Sequence, residues 1–146
     1  MKVGIVGSEA AKFTPRTKIL ACVEIRVLFE KHHPDVVISG HSPLGGIDIW
    51  AVKLAERCGI ETLEFPPAAR SWAAGYRSRN LQIAEASDLV VCITVKQLPE
   101  TYHGMVFPRG CYHCGTPPEH HVKSGGCWTM KQAAALGKQT QLVIIE

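Results

Sequence analysis

Short apolar runs alternate along the chain with helix-length segments in which apolar residues recur every three or four positions, the pattern of βαβ units built on a parallel sheet. The first run, Lys2 to Val6, stops at Gly7-Ser8. Thr14 can cap the helix that follows, Pro15 suits its first turn, and the segment reaches about His32 before Pro34 ends it. Leu20, Val23, Val27 and Leu28 share one face of that helix and are expected to bury it. Asp35 to Ser39 reads as a second strand, and Gly40 to Gly46 as a turn into a helix through Cys58 that Gly59 closes. Ile60 to Phe65 is a third strand, broken by Pro66-Pro67 ahead of a helix from about Trp72 to Ala86, and Asp88 to Thr94 is a fourth. A last helix from about Gly126 to Leu136, a Gly137 cap and a strand from Gln141 to Ile145 end the chain.

Right-handed crossovers between these strands predict an α/β fold: a three-layer, Rossmann-like, doubly wound parallel sheet of about five strands in the order 3-2-1-4-5. Such sheets bind ligands at the carboxyl ends of their strands, where Gly7, Ser8, Ser39 to Gly46 and Thr94 fall in this sequence. One segment breaks the alternation. Val95 to Gly125 runs for about thirty residues without a period, a length that in compact domains marks function or an added staple.

The 146 residues suit a single domain spanning 1–146. With 20% charged and 46% hydrophobic residues the composition is that of a globular protein rather than a disordered one. The net charge of +3 is spread without a basic run, which gives nucleic-acid binding no support, and no apolar stretch is long enough for a membrane span. The apolar start is too short for a secretory signal, so a cytoplasmic location is expected. In that reducing setting Cys22, Cys58 and Cys92, each alone in an apolar pattern, are expected in the core as small hydrophobes.

The remaining cysteines change the picture, because of six cysteines and seven histidines in the chain, seven fall between His103 and Cys127. Cys111-x-x-Cys114, His120-His121 and Cys127 supply thiols and imidazole at the spacing of a structural zinc site, in which four such ligands close a tetrahedron. His113 and His103 are spare donors, and a redox CxxC pair is the competing reading. Cys127 also lies in a glycine turn, where it could face a ligand instead.

Three glycine-bearing turns stand where amides and a helix N-terminus can hold an anion: Val6-Gly7-Ser8, Ser39 to Gly46 including Gly40, Ser42, Gly45 and Gly46, and Lys123-Ser124-Gly125-Gly126. The first lacks the full GxGxxG spacing of a dinucleotide fold. Trp72, Tyr76, Arg77 and Arg79 add aromatic and guanidinium groups near the third helix start, the types that stack on a base and grip a phosphate.

Taken together, Gly7-Ser8, the turn from Ser39-Gly40 to Gly45-Gly46-Ile47-Asp48, Arg79-Asn80, Ala86-Ser87-Asp88 before a strand, and the glycine turn before the last helix resemble the SLOG superfamily, which includes the lonely-guy phosphoribohydrolases and the DprA-type proteins. The resemblance spans most of the chain except about Val95 to Lys123, and implies a Rossmann-like sheet that binds nucleotides or their derivatives. It matches Gly125, Gly126 and Thr129 to the family's phosphate-holding positions and Arg79 to its arginine. The family's proline is Ser124 here, its third glycine Trp128, and its glutamate Gln132. An amide cannot accept a proton as a carboxylate does, so cleavage of an N-glycosidic bond would require Glu9 or Asp48 instead. The leading expectation is a nucleotide-binding protein, with a nucleoside-monophosphate phosphoribohydrolase and a zinc-stabilised interaction module as alternatives. The resemblance also implies a homodimer formed through helices.

Overall fold

A computed structural model describes all 146 residues. The strands β1 (Lys2–Gly7), β2 (Val36–Ser39), β3 (Glu61–Glu64), β4 (Leu89–Val95) and β5 (Gln139–Ile145) form one sheet in the order β3-β2-β1-β4-β5, parallel throughout. Helices α1 (Pro15–His32), α2 (Ile47–Arg57), α3 (Arg77–Ala86) and α4 (Gly125–Ala135) make the crossovers. Side chains alternate across the pleat, so each strand feeds two cores. Val3, Ile5, Val37, Val91 and Ile93 pack with α1 and α2 on one face, while Val6, Ile38, Val90 and Cys92 pack with α3 and α4 on the other. The expected three layers and strand order are therefore present. No helix is long and apolar enough to cross a membrane.

Local chemistry explains most boundaries. Thr14 caps α1 through its hydroxyl, which accepts from the Thr17 amide at 3.1 Å, while Thr17 Oγ1 accepts from the Thr14 amide at 2.7 Å. Gly59 and Gly137 follow α2 and α4 with φ of +72° and +78°, a left-handed conformation that glycine adopts without strain.

Three expectations need correction. The buried face of α1 is Ala21, Ile25, Leu28 and Phe29, and Val23 and Val27 remain 51% and 48% exposed. Two apolar stripes run along this helix, and the one packed on the sheet contains Ala21, Ile25, Leu28 and Phe29. Cys58 is exposed at the end of α2 and Cys22 is half-buried, leaving Cys92 as the buried member of that trio. The third helix does not begin as an α-helix: Trp72–Tyr76 is a π turn, in which the amides of Gly75 and Tyr76 both donate to the Ser71 carbonyl at 3.0 Å. Gly75 is held against the backbone of Ala69, where a Cβ would lie 2.6 Å from its nitrogen.

Between β4 and α4, residues 96–124 contain turns but no helix or strand. The two ends of this loop meet, since the Val122 amide donates to the Val95 carbonyl at 2.8 Å.

Candidate functional site

The strand order reverses between β1 and β4, and a cleft of about 490 Å³ opens at the carboxyl ends of those two strands. Divergent crossovers leave a crevice at such a switch point. Gly7 and Ser8 form part of its lining. Thr94 donates its hydroxyl proton to the Val122 carbonyl at 2.8 Å, so the 2.8 Å contact between Ser8 Oγ and Thr94 Oγ1 has Ser8 as donor. The Ser8 hydroxyl thus ties β1 to the end of the long loop.

The N-terminus of α4 faces the same space. Ser124 is its cap, with Oγ accepting from the Gly126 amide at 3.1 Å, and Ser124, Gly125, Gly126 and Thr129 all line the cleft. A Cβ on Gly126 would stand 2.9 Å from both the Gly7 nitrogen and Cys92 Sγ, so only glycine lets the helix start this close to β1. Gly125 is exposed and lines the cleft, and a Cβ there would meet nothing within 4 Å. The first amides of a helix have no intrahelical acceptor, and they meet the positive end of the helix dipole here.

Two lysines reinforce this positive edge. Lys12 donates from Nζ to the Lys123 carbonyl at 3.1 Å, and burial lowers its pKa. Lys123 places Nζ 4.7 Å from the Phe107 ring centre and 5.4 Å from that of Tyr112. Aromatic walls complete the cleft: Trp72 and Trp128 meet edge to face at 4.7 Å, and Tyr76 and Tyr112 line it with them.

Arg79 is only 7% exposed and largely committed within the protein. Its Nε donates to Asn80 Oδ1 at 2.7 Å, its Nη1 donates to the Gly40 carbonyl, and Asp48 Oδ2 lies 3.7 Å away. Asp48 is buried as well, and burial pushes its carboxyl up to about 6 against the opposing pull of Arg79, Ser39 and Ser42. Asp48 and Ser42 reach the cleft, and so does Glu9, whose carboxylate accepts from Tyr102 Oη at 3.4 Å. Gly40, Gly45 and Gly46 stand outside the lining. Gly40 lies against Arg79 and Asp48, and Gly46, with φ of +87°, presses on the backbone of Ser8 to Ala10, so these glycines shape the turn that carries Ser42. Arg77 and Gln132 are not in the lining either.

Beside the cleft, Cys111, Cys114, His121 and Cys127 bring one ligand atom each to within 4.8 Å of one another. Tetrahedral zinc with Zn–S bonds near 2.3 Å places its ligand atoms roughly 3.8 Å apart, and the Cys127 Sγ to His121 Nε2 distance is 3.8 Å. His120 is not one of the four. Its Nδ1 meets Nδ1 of His121 at 2.6 Å, which orients that ring with Nε2 toward the thiols, the part a supporting group plays behind a metal-bound histidine. His103 and His113 also stand outside the set. Burial and the neighbouring Cys127 and Cys111 raise the Cys114 thiol, and the Cys92 hydrogen bond and burial raise that of Cys127. A bound cation would reverse that balance by stabilising the thiolates. The donor set fits a closed metal site.

Lys12, Asn80 and Tyr112 were not legible as cleft residues. Tyr112 had a signal: a residue between two metal-ligand cysteines must lie near whatever the metal site abuts, and Cys127 is in the first turn of α4.

No protein-family model matches the chain, and no curated protein does. Among solved structures, the molybdenum cofactor carrier protein from Chlamydomonas reinhardtii is similar in fold, with a TM-score of 0.56 at 15% identity over 97% of this chain and 74% of that one.

Proposed function

We propose that this protein binds a nucleotide or nucleotide derivative in the cleft between β1 and β4, with a phosphate on the α4 N-terminus and a planar ring among the aromatic side chains. The observation that carries this reading is the convergence of two chemistries on one cavity: the α4 N-terminus at Ser124 and Gly125 with Lys12 and Lys123, and the rings of Trp72, Tyr76, Tyr112 and Trp128. Helix amides and ammonium groups suit phosphate, and aromatic faces suit a base. Arg79 acts in this reading as a positioning residue that holds Asp48 and the Gly40 turn. The SLOG resemblance supports the same pocket, and the likeness to a molybdenum cofactor carrier adds that cofactor to the ligands worth testing.

The test is titration with AMP, ADP-ribose, a cyclic nucleotide and molybdenum cofactor, followed through the fluorescence of Trp72 and Trp128. Binding is expected to weaken about tenfold or more in Lys123→Ala, on the scale of one lost charge-assisted contact. No binding by any of them at millimolar concentration would overturn the reading.

A second reading, hydrolysis of an N-glycosidic bond, is favoured by one observation: Asp48 and Glu9 are carboxyls in the same cleft, and Asp48 holds its proton up to about pH 6. It requires release of free base from nucleoside monophosphates, lost in Asp48→Asn or Glu9→Gln. The ion we assign to the cysteine and histidine set is structural zinc, with four protein ligands and no open position. For the homodimer, the supporting surface is the outer face of α1, where Ile19, Val23 and Val27 are exposed at helical spacing with Arg16 and Glu30 at its ends.

A further inference from the structure

We infer that the metal held by Cys111, Cys114, His121 and Cys127 is an integral part of the ligand cleft, so that ion and ligand bind with positive linkage; this rests on the binding reading above. Every segment that supplies a metal ligand also supplies a cleft wall. Cys111 and Cys114 flank Tyr112 and His113; His121 precedes Lys123 and Ser124; Cys127 stands between Gly126 and Trp128. One ion therefore fixes three stretches of wall at once. Residues 96–124 have no helix or strand to order them, and fixing such a segment costs conformational entropy at every residue. Cys127 extends the effect to the anion cradle, because it belongs to the first turn of α4 and its amide donates to the Ser124 carbonyl at 3.0 Å.

Charge determines what the ion does there. Three thiolates around a dication and a neutral imidazole leave a net negative cluster, so the metal is not the attraction for a phosphate. That attraction comes from the α4 amides, Lys12 and Lys123, and the ion's contribution is their placement. Whatever orders the walls before the ligand arrives lowers the ordering cost left to binding, and linkage makes the effect reciprocal.

The experiment compares purified metal-loaded protein with protein stripped by a chelator, first without ligand. Hydrogen exchange should rise in 112–113 and 123–126 on stripping, while β1, β2 and β3 keep their protection. Unchanged exchange in those two stretches would overturn the inference, as would loss of protection across the whole sheet, which would make the ion a general stabiliser. So would less than a tenth of an equivalent of zinc in protein purified with zinc present. In the second arm AMP is the probe. Its Kd is expected to rise at least tenfold on stripping, and saturating AMP should slow zinc transfer to a colorimetric chelator; equal affinity in both forms would overturn the linkage. If metal-loaded protein fails to bind AMP or the other ligands above, the binding reading falls, while the exchange arm still decides whether the ion builds the walls.

Discussion

Asp48 and Arg79 show how a buried pair becomes a property that can be measured. Asp48 is 7% exposed, and burial raises its carboxyl from 3.8 to about 6 despite the guanidinium 3.7 Å away. A pKa higher in the folded than in the unfolded chain means that the folded state binds more protons between the two values. The stability this group contributes is therefore complete below about pH 4 and is lost as pH rises through about 6. The shift of about two units corresponds to about 3 kcal/mol at most. Asparagine at this position cannot titrate, so Asp48→Asn should gain on the parent as pH rises from 4 to 7, whatever constant penalty follows from leaving Arg79 less well paired. Melting temperatures across that range check the sign. Parallel curves for the two proteins would show that the carboxyl titrates normally.

At the scale of elements, the central strands were located by their apolar runs, because a buried parallel strand must be apolar on both faces and β4 is buried from Leu89 to Val95. The edge strand β3, Glu-Thr-Leu-Glu and only partly buried, was located instead by its alternation and the Pro66-Pro67 break after it. The orientation of α1 was not legible, since two apolar stripes satisfied the same period. The unused stripe carries a prediction. In an antiparallel, two-fold pairing of α1 centred on Val23, Ile19 would meet Val27 of the second copy and Arg16 would meet Glu30, so apolar and charged positions both match. Val23→Lys would place like charges at the centre of that contact. Sedimentation should then report a dimer for the parent and a monomer for the variant, with the melting profile otherwise retained because Val23 is 51% exposed. A parent that is monomeric at high micromolar concentration would rule out this surface.

Over the whole molecule, the positions of Gly7, Ser8, Ser42 and Gly125 at one sheet edge were readable from topology, because strand ends and the helices after them are fixed once the order is known, while Asp48 came from the family resemblance. The far wall was only partly readable: Lys123 was legible in the glycine turn before α4, but Tyr112 and His113 reach the cleft from a loop with no period. This division implies that framework and loop are separable. The Val122 amide sits 2.8 Å from the Val95 carbonyl, so the chain leaves and re-enters at one point, and a few glycines could span the gap if residues 96–121 were removed. The excision costs the core on the α3 and α4 side the fully buried Cys111 and the Cys114 packed on it, and removes buried His121, while the cluster between the sheet, α1 and α2 keeps all its buried members. The shortened chain is expected to retain the far-ultraviolet circular dichroism of an α/β protein and a cooperative melt at lower temperature. It should bind neither zinc nor AMP. Failure to fold would show instead that the loop is part of the core, and retained AMP binding would show that the phosphate cradle works without its far wall.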